Sequence, residues 1–195
     1  MKKLSFLILI ALGVYTLQSC HSGSSTSQTS DSSTVAKDST TTKTTTTTAA
    51  SVDSSDATFA RKAAGGGMAE IEFSKLAEQK TTNTKIKDFA AMMVTDHSKA
   101  GDSLAVIAKN KNITLPSALD PEHQKKYDDL SAKSGADFDK AYVSIMIADH
   151  KGALNLMQDE STNGKDADLK AFATKVVVTV QMHLDAINKI NAGMQ

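Results

Sequence analysis

MMVTDHSKAGDSL, residues 92–104, and IMIADHKGALNL, residues 145–156, share the pattern that decides how this chain folds. In both, apolar residues recur at three- and four-residue steps, the period of a helix with one buried face. Both also place a histidine on that apolar stripe, with an aspartate directly before it. Extended outward, the first stretch gives an inward row of Ile86, Phe89, Ala90, Met93, Val94, His97, Gly101 and Leu104. The second gives Tyr142, Met146, Ile147, His150, Ala153, Leu154 and Met157.

Two further rows have the same period. Phe172, Val176, Thr179, Val180, His183, Ala186, Ile187 and Ile190 form one, and Phe59, Ala63, Gly66, Glu70, Phe73 and Ala77 the other. Strict alternation, the mark of strands, is absent from all of them. The spacing predicts long helices over 56–80, 82–110, 136–160 and 166–192, and a short one over 120–133. Asp120 and Pro121 open the short helix as cap and first-turn residue.

Short links join the first two long helices and the last two, so each pair reads as an antiparallel hairpin. The pairs are separated by KNITLPSALDPEHQKKYDDLSAKSG, long for a connection. Two hairpins joined by a long crossover define an all-α, ferritin-like antiparallel four-helix bundle with a short helix in the long connector. An up-down-up-down bundle with an extra short helix is the alternative. Gly65, Gly66 and Gly67 each cost about 1 kcal/mol against alanine within a helix. Either the first helix begins near Met68, or the glycines allow a neighbour's backbone to approach closely; the apolar row that runs through them favours a continuous first helix.

Before the bundle the composition changes. Residues 1–19 read as an export signal: Lys2 and Lys3, then the apolar run LSFLILIALGVYTL, short of the roughly 20 residues that span a membrane. LQSC then resembles a lipoprotein processing site, with Cys20 as the lipidated first residue. Cys20 is the only cysteine, so an internal disulfide is excluded. Residues 20–55 hold 11 serines and 11 threonines, too little apolar surface to offset ordering entropy, and read as a disordered tether. The domain plan is therefore signal 1–19, tether 20–55 and bundle 56–195. His21, with no aspartate just beyond it, favours sorting to the outer membrane, facing the periplasm.

Without the signal, 20 basic residues face 22 acidic ones, and Arg61 is the single arginine. That balance gives no basic footprint for nucleic acid.

The histidines carry the chemistry. HSKA, HKGA and HLDA each set an alanine three positions after the histidine, leaving room for an inward imidazole. His97, His150 and His183 fall near mid-helix, as does Glu70. In antiparallel helices of similar length these levels coincide within about a turn. Three imidazoles and a carboxylate at one level suit a transition metal, copper or zinc. Met93 and Met146, one turn before their histidines, would favour Cu(I), though methionine also fills irregular cores.

A di-iron centre needs Glu-x-x-His. Here Val94, Ile147 and Val180 stand in the glutamate positions. Asp96 and Asp149 point about 100° away from their own histidines. They are placed to orient a ligand on a neighbouring helix or to carry charge on the flank. No nucleophile pairs with a base and no glycine loop follows a strand, so the expected role is not enzymatic. His123, in the polar short helix, is assigned to the surface.

GGGMAEIEFSKLA, FAAMMVTDHSKA, FDKAYVSIMIADHKGAL and LKAFATKVVVTVQMHLDAI together resemble the bacterial domain-of-unknown-function family 4142, exported or outer-membrane proteins. The resemblance covers about residues 56–192 and implies a ferritin-like bundle with no established activity. His97, His150, His183 and Glu70 fall on its recurring motifs. Two expectations follow. The first is a lipid-anchored envelope bundle that binds a ligand or a protein partner, its histidines structural. The alternative is a metal module with His97, His150, His183 and Glu70 as ligands.

Overall fold

The structure is a computed structural model that describes residues 52–194. The signal over 1–19, Cys20 and nearly all of the tether lie outside the described residues. Five helices account for most of the rest: α1 (Ser54–Lys80), α2 (Thr84–Asn110), α3 (Pro121–Ser131), α4 (Gly135–Asn163) and α5 (Ala167–Ala192). Among the described residues, no helix is long and apolar enough to cross a membrane.

Side-chain caps set the helix starts. Asp53, Asn83, Asp120 and Asp166 each accept backbone N–H bonds from the first turn, satisfying donors that have no partner inside the helix. The Asp53 cap starts α1 two residues before the position expected from composition. α1 is continuous through Gly65–Gly67.

Polar contacts at the bundle ends fix the helix directions. The Asp56 carboxylate, buried at the start of α1, accepts from the backbone N–H groups of Asp166 at 2.6 Å and Lys165 at 3.2 Å. That ties the beginning of α1 to the α4–α5 turn. At the other end Lys80 donates to the Ser131 carbonyl and lies 5.6 Å over the Phe138 ring, beside the start of α4. α4 is therefore antiparallel to α1. Lys111, just after α2, pairs with Asp166 at 2.7 Å and Asp168 at 2.8 Å at the start of α5. So α2 and α5 are antiparallel, and α2 and α4 run the same way.

Such an arrangement requires the connector to return along the bundle, about 40 Å for a helix of this length. This is the ferritin-like topology, with α3 riding on α1 and α4. The up-down-up-down alternative is not adopted.

The core falls into two apolar halves. One packs Phe73, Ile86, Phe89, Phe138, Tyr142 and Ile187; the other packs Phe59, Leu104, Met157, Leu169 and Phe172. Each large side chain so buried contributes about 1.5–3 kcal/mol. On α2, α4 and α5 the histidines lie in sequence between the residues of the two halves. The inward rows hold except at Gly101, which faces solvent. His123 is half-buried rather than on the surface. Its Nδ1 lies 2.6 Å from Asp120 Oδ2 and its ring centroid 6.5 Å from that of Phe73.

Candidate metal centre

Three helices deliver one imidazole each to the seam between the core halves. The ring centroids of His97, His150 and His183 lie 5.4 to 5.7 Å apart. One ring nitrogen from each lies within 4.8 Å of one from each of the others. His150 and His183 are fully buried, and His97 nearly so. The Phe89 ring closes one side, 6.3 Å from His150 and 6.4 Å from His183.

Each imidazole is held by one nitrogen and leaves the other without a partner. His150 Nδ1 lies 2.8 Å from the Met146 carbonyl, one turn earlier. A carbonyl only accepts, so the proton is on Nδ1 and Nε2 presents a lone pair. His183 Nε2 donates to Asp96 Oδ2 at 3.2 Å, which leaves the lone pair on Nδ1. His97 Nδ1 lies 3.1 Å from Glu70 Oε2. The remaining atoms, His97 Nε2, His150 Nε2 and His183 Nδ1, are buried with no hydrogen-bond partner. A buried polar atom left in that state costs about 1–3 kcal/mol, and this cluster holds three on its imidazoles and a fourth in Glu70 Oε1.

Glu70 is inward, as its place on the α1 stripe predicts, but it stands behind the imidazoles. Its Oε1 lies 3.1 Å from His150 Nδ1 and its Oε2 the same distance from His97 Nδ1. The carboxylate thus faces the held nitrogens rather than the unpartnered ones. Met93 and Met146 are fully buried in the apolar half around Phe89.

Burial sets the charge state. It pushes Glu70 up to about 8, assisted by the Asp149 carboxylate and opposed by Lys126. Desolvation lowers His97 to about 3, and its neighbours His150 and His183 lower it further. His150 falls to about 4, again through burial first and His183 second. His183 is lowered by burial against the pull of Asp96. Near pH 7 the three rings are neutral, the form that ligates metal. The Glu70–His97 contact is then one between neutral groups rather than an ion pair.

Asp96 and Asp149, placed alike before their histidines, do different work. Asp96 reaches His183 on α5, whereas Asp149 pairs with Lys126 of α3 at 3.0 Å. Sequence reasoning named both options without assigning them. It missed Ser74, whose hydroxyl bonds the buried Tyr142 hydroxyl at 2.9 Å.

Fold and site together define a class: a ferritin-like four-helix bundle with a buried three-histidine centre. The chain belongs to the family described as domain of unknown function DUF4142, whose sequence pattern matches residues 41–190. No curated protein matches it in sequence. Several solved structures share the fold. A DUF305 fragment from Deinococcus radiodurans superposes with a TM-score of 0.64 at 11% identity, covering 71% of this chain and 96% of its own. A DUF305 protein from Streptomyces coelicolor gives 0.62 at 15% identity, covering 72% and 92%. CopM in its Cu(I)-bound form gives 0.60 at 14% identity, covering 71% and 96%.

Proposed function

We propose that this protein is a transition-metal binding module that holds copper or zinc through His97 Nε2, His150 Nε2 and His183 Nδ1. Two observations carry the reading: one ring nitrogen of each histidine lies within 4.8 Å of one from each of the others, and each ring has a buried nitrogen without a partner. A purely structural histidine cluster would use those lone pairs on protein donors. Ligation at about 2.0–2.1 Å around a tetrahedral ion sets nitrogens about 3.4 Å apart. The likeness to the Cu(I)-bound CopM supports copper as one of the two ions.

Glu70 and Asp96 are positioning residues in this account. Metal-bound imidazoles generally donate their other N–H to a carboxylate or carbonyl, which fixes the ring and raises its basicity. The Met146 carbonyl does this for His150, Asp96 for His183 and Glu70 for His97. With metal on His97 Nε2, the ring proton resides on Nδ1 and is donated to Glu70.

The address belongs to the same proposal. Cys20 carries a lipid anchor, and the Ser/Thr-rich segment holds the bundle away from the outer membrane on its periplasmic side. Cys20→Ala should release the chain from the membrane fraction. Persistence there after a salt wash would contradict the anchor.

Elemental analysis of untagged protein, loaded with Zn(II) or Cu(I) and dialysed, tests the binding. The expected result is one metal per chain and a raised melting temperature, since a ligand at 100 times its Kd adds about 2.7 kcal/mol. His97→Gln should abolish both, with the helical signal kept. A chain that retains no metal and melts unchanged would overturn the proposal and return the envelope bundle to a partner-binding role.

A further inference from the structure

The helical glycines around the centre have no packing explanation. A neighbour's close approach would account for Gly66, Gly101 and Gly152, yet a Cβ on any of them would meet nothing within 4 Å. At Gly67 it would stand 3.7 Å from His97 Nδ1, an ordinary contact. All four glycines line one open cleft, and so do His97 and His183. His183 is itself completely buried, with Nδ1 unpartnered. His183 thus lies at the floor of a cleft that the glycines keep clear, with the slightly exposed His97 beside it.

Three protein ligands leave a fourth position on a tetrahedral ion. Glu70 lines the cleft, but its carboxylate lies on the held-nitrogen side of His97 and His150, with its own Oε1 unpartnered. Asp96 is engaged on His183, and neither Met93 nor Met146 lines the cleft. His150 is not part of the cleft lining either, which puts the open side toward His97 and His183. We infer that the cleft admits a small monodentate donor from solution to the fourth position of the metal, making the centre an exchangeable site rather than a closed structural one. This rests on the three-histidine reading above.

Cobalt(II) is the probe, because its visible spectrum reports its ligand set. The full chain is loaded with Co(II) and titrated with azide and, separately, with imidazole. Both should shift the cobalt bands saturably. Gly66→Leu and Gly101→Leu add good helix formers where a Cβ meets open space, so both variants should fold and take up cobalt as the parent does. Azide should bind each of them about tenfold more weakly or worse, because the new side chain occupies its approach. Cobalt uptake with a spectrum indifferent to both donors would overturn the open position and leave the histidine site standing. An azide response unchanged in both leucine variants would overturn the cleft as its route. Failure to take up cobalt would overturn the three-histidine reading as well.

Discussion

Asp96 on α2 reaches across the bundle and sets its Oδ2 3.2 Å from Nε2 of His183 on α5. The residue directly before one centre histidine thus orients another. The helical offset that turns Asp96 away from His97 carries it toward the neighbouring helix. Asp96→Ala removes the acceptor that fixes the His183 tautomer. Because this carboxylate is partly exposed, the fold should survive. Metal affinity should drop about 10- to 100-fold, the usual effect of losing such a partner. Competition titration against a chromophoric chelator measures it, and unchanged affinity would remove Asp96 from the account.

Met93 and Met146 give a prediction of no effect on binding. Both are fully buried in the Phe89 half of the core. Met93→Leu and Met146→Leu nearly conserve volume, at a cost under about 1.5 kcal/mol each. Metal affinity measured by the same competition should stay within a factor of about 3, below about 1 kcal/mol. A large selective loss of Cu(I) would place thioether sulfur among the ligands.

The Ser74–Tyr142 hydrogen bond lies entirely within the core. Ser74→Ala leaves a buried tyrosine hydroxyl without a partner and should destabilise the chain by about 1–3 kcal/mol. Adding Tyr142→Phe should restore much of that loss, because both polar groups are then gone. Urea denaturation of the four members of this cycle reads the coupling, and strictly additive losses would contradict it.

Glu160 makes a pH prediction at the far end of the bundle from that pair. Burial, reinforced by Asp56, Asp159 and Asp166, raises its carboxyl to about 7 from an ordinary 4.5. Between these values the folded chain holds a proton that the unfolded chain has lost. This contribution to stability is therefore present at low pH and lost as pH rises from about 5 to 8. Glu160→Gln removes it. For metal-free protein, the melting-temperature difference between pH 5 and pH 8 should be smaller in the variant by a few degrees, about 1–2 kcal/mol. Parallel profiles would show that Glu160 ionises freely in the fold.

Much of the architecture was legible before the structure. Connector length separated the ferritin-like crossover from a simple meander, and the 3.6-residue period placed His97, His150 and His183 on inward faces at one level. Local chemistry also announced itself where a cap governs, as at Asp120. What escaped depends on contacts between distant parts of the chain. Asp56 reads as an ordinary first-turn acid, yet it is buried because the α4–α5 turn closes over it. Facing and height placed Glu70 in the core, but they cannot show which ring nitrogens its carboxylate meets, here Nδ1 of His97 and His150. The His150 tautomer depends on the Met146 carbonyl one turn back, a contact set by side-chain rotation that residue spacing does not encode.

X-ray absorption at the metal edge of singly loaded protein tests the central claim most directly. The account predicts three imidazole nitrogens, at about 2.0–2.1 Å for zinc, with the outer-shell scattering of rigid rings. A shell dominated by sulfur at about 2.3 Å, or by carboxylate oxygen without imidazole scattering, would contradict it.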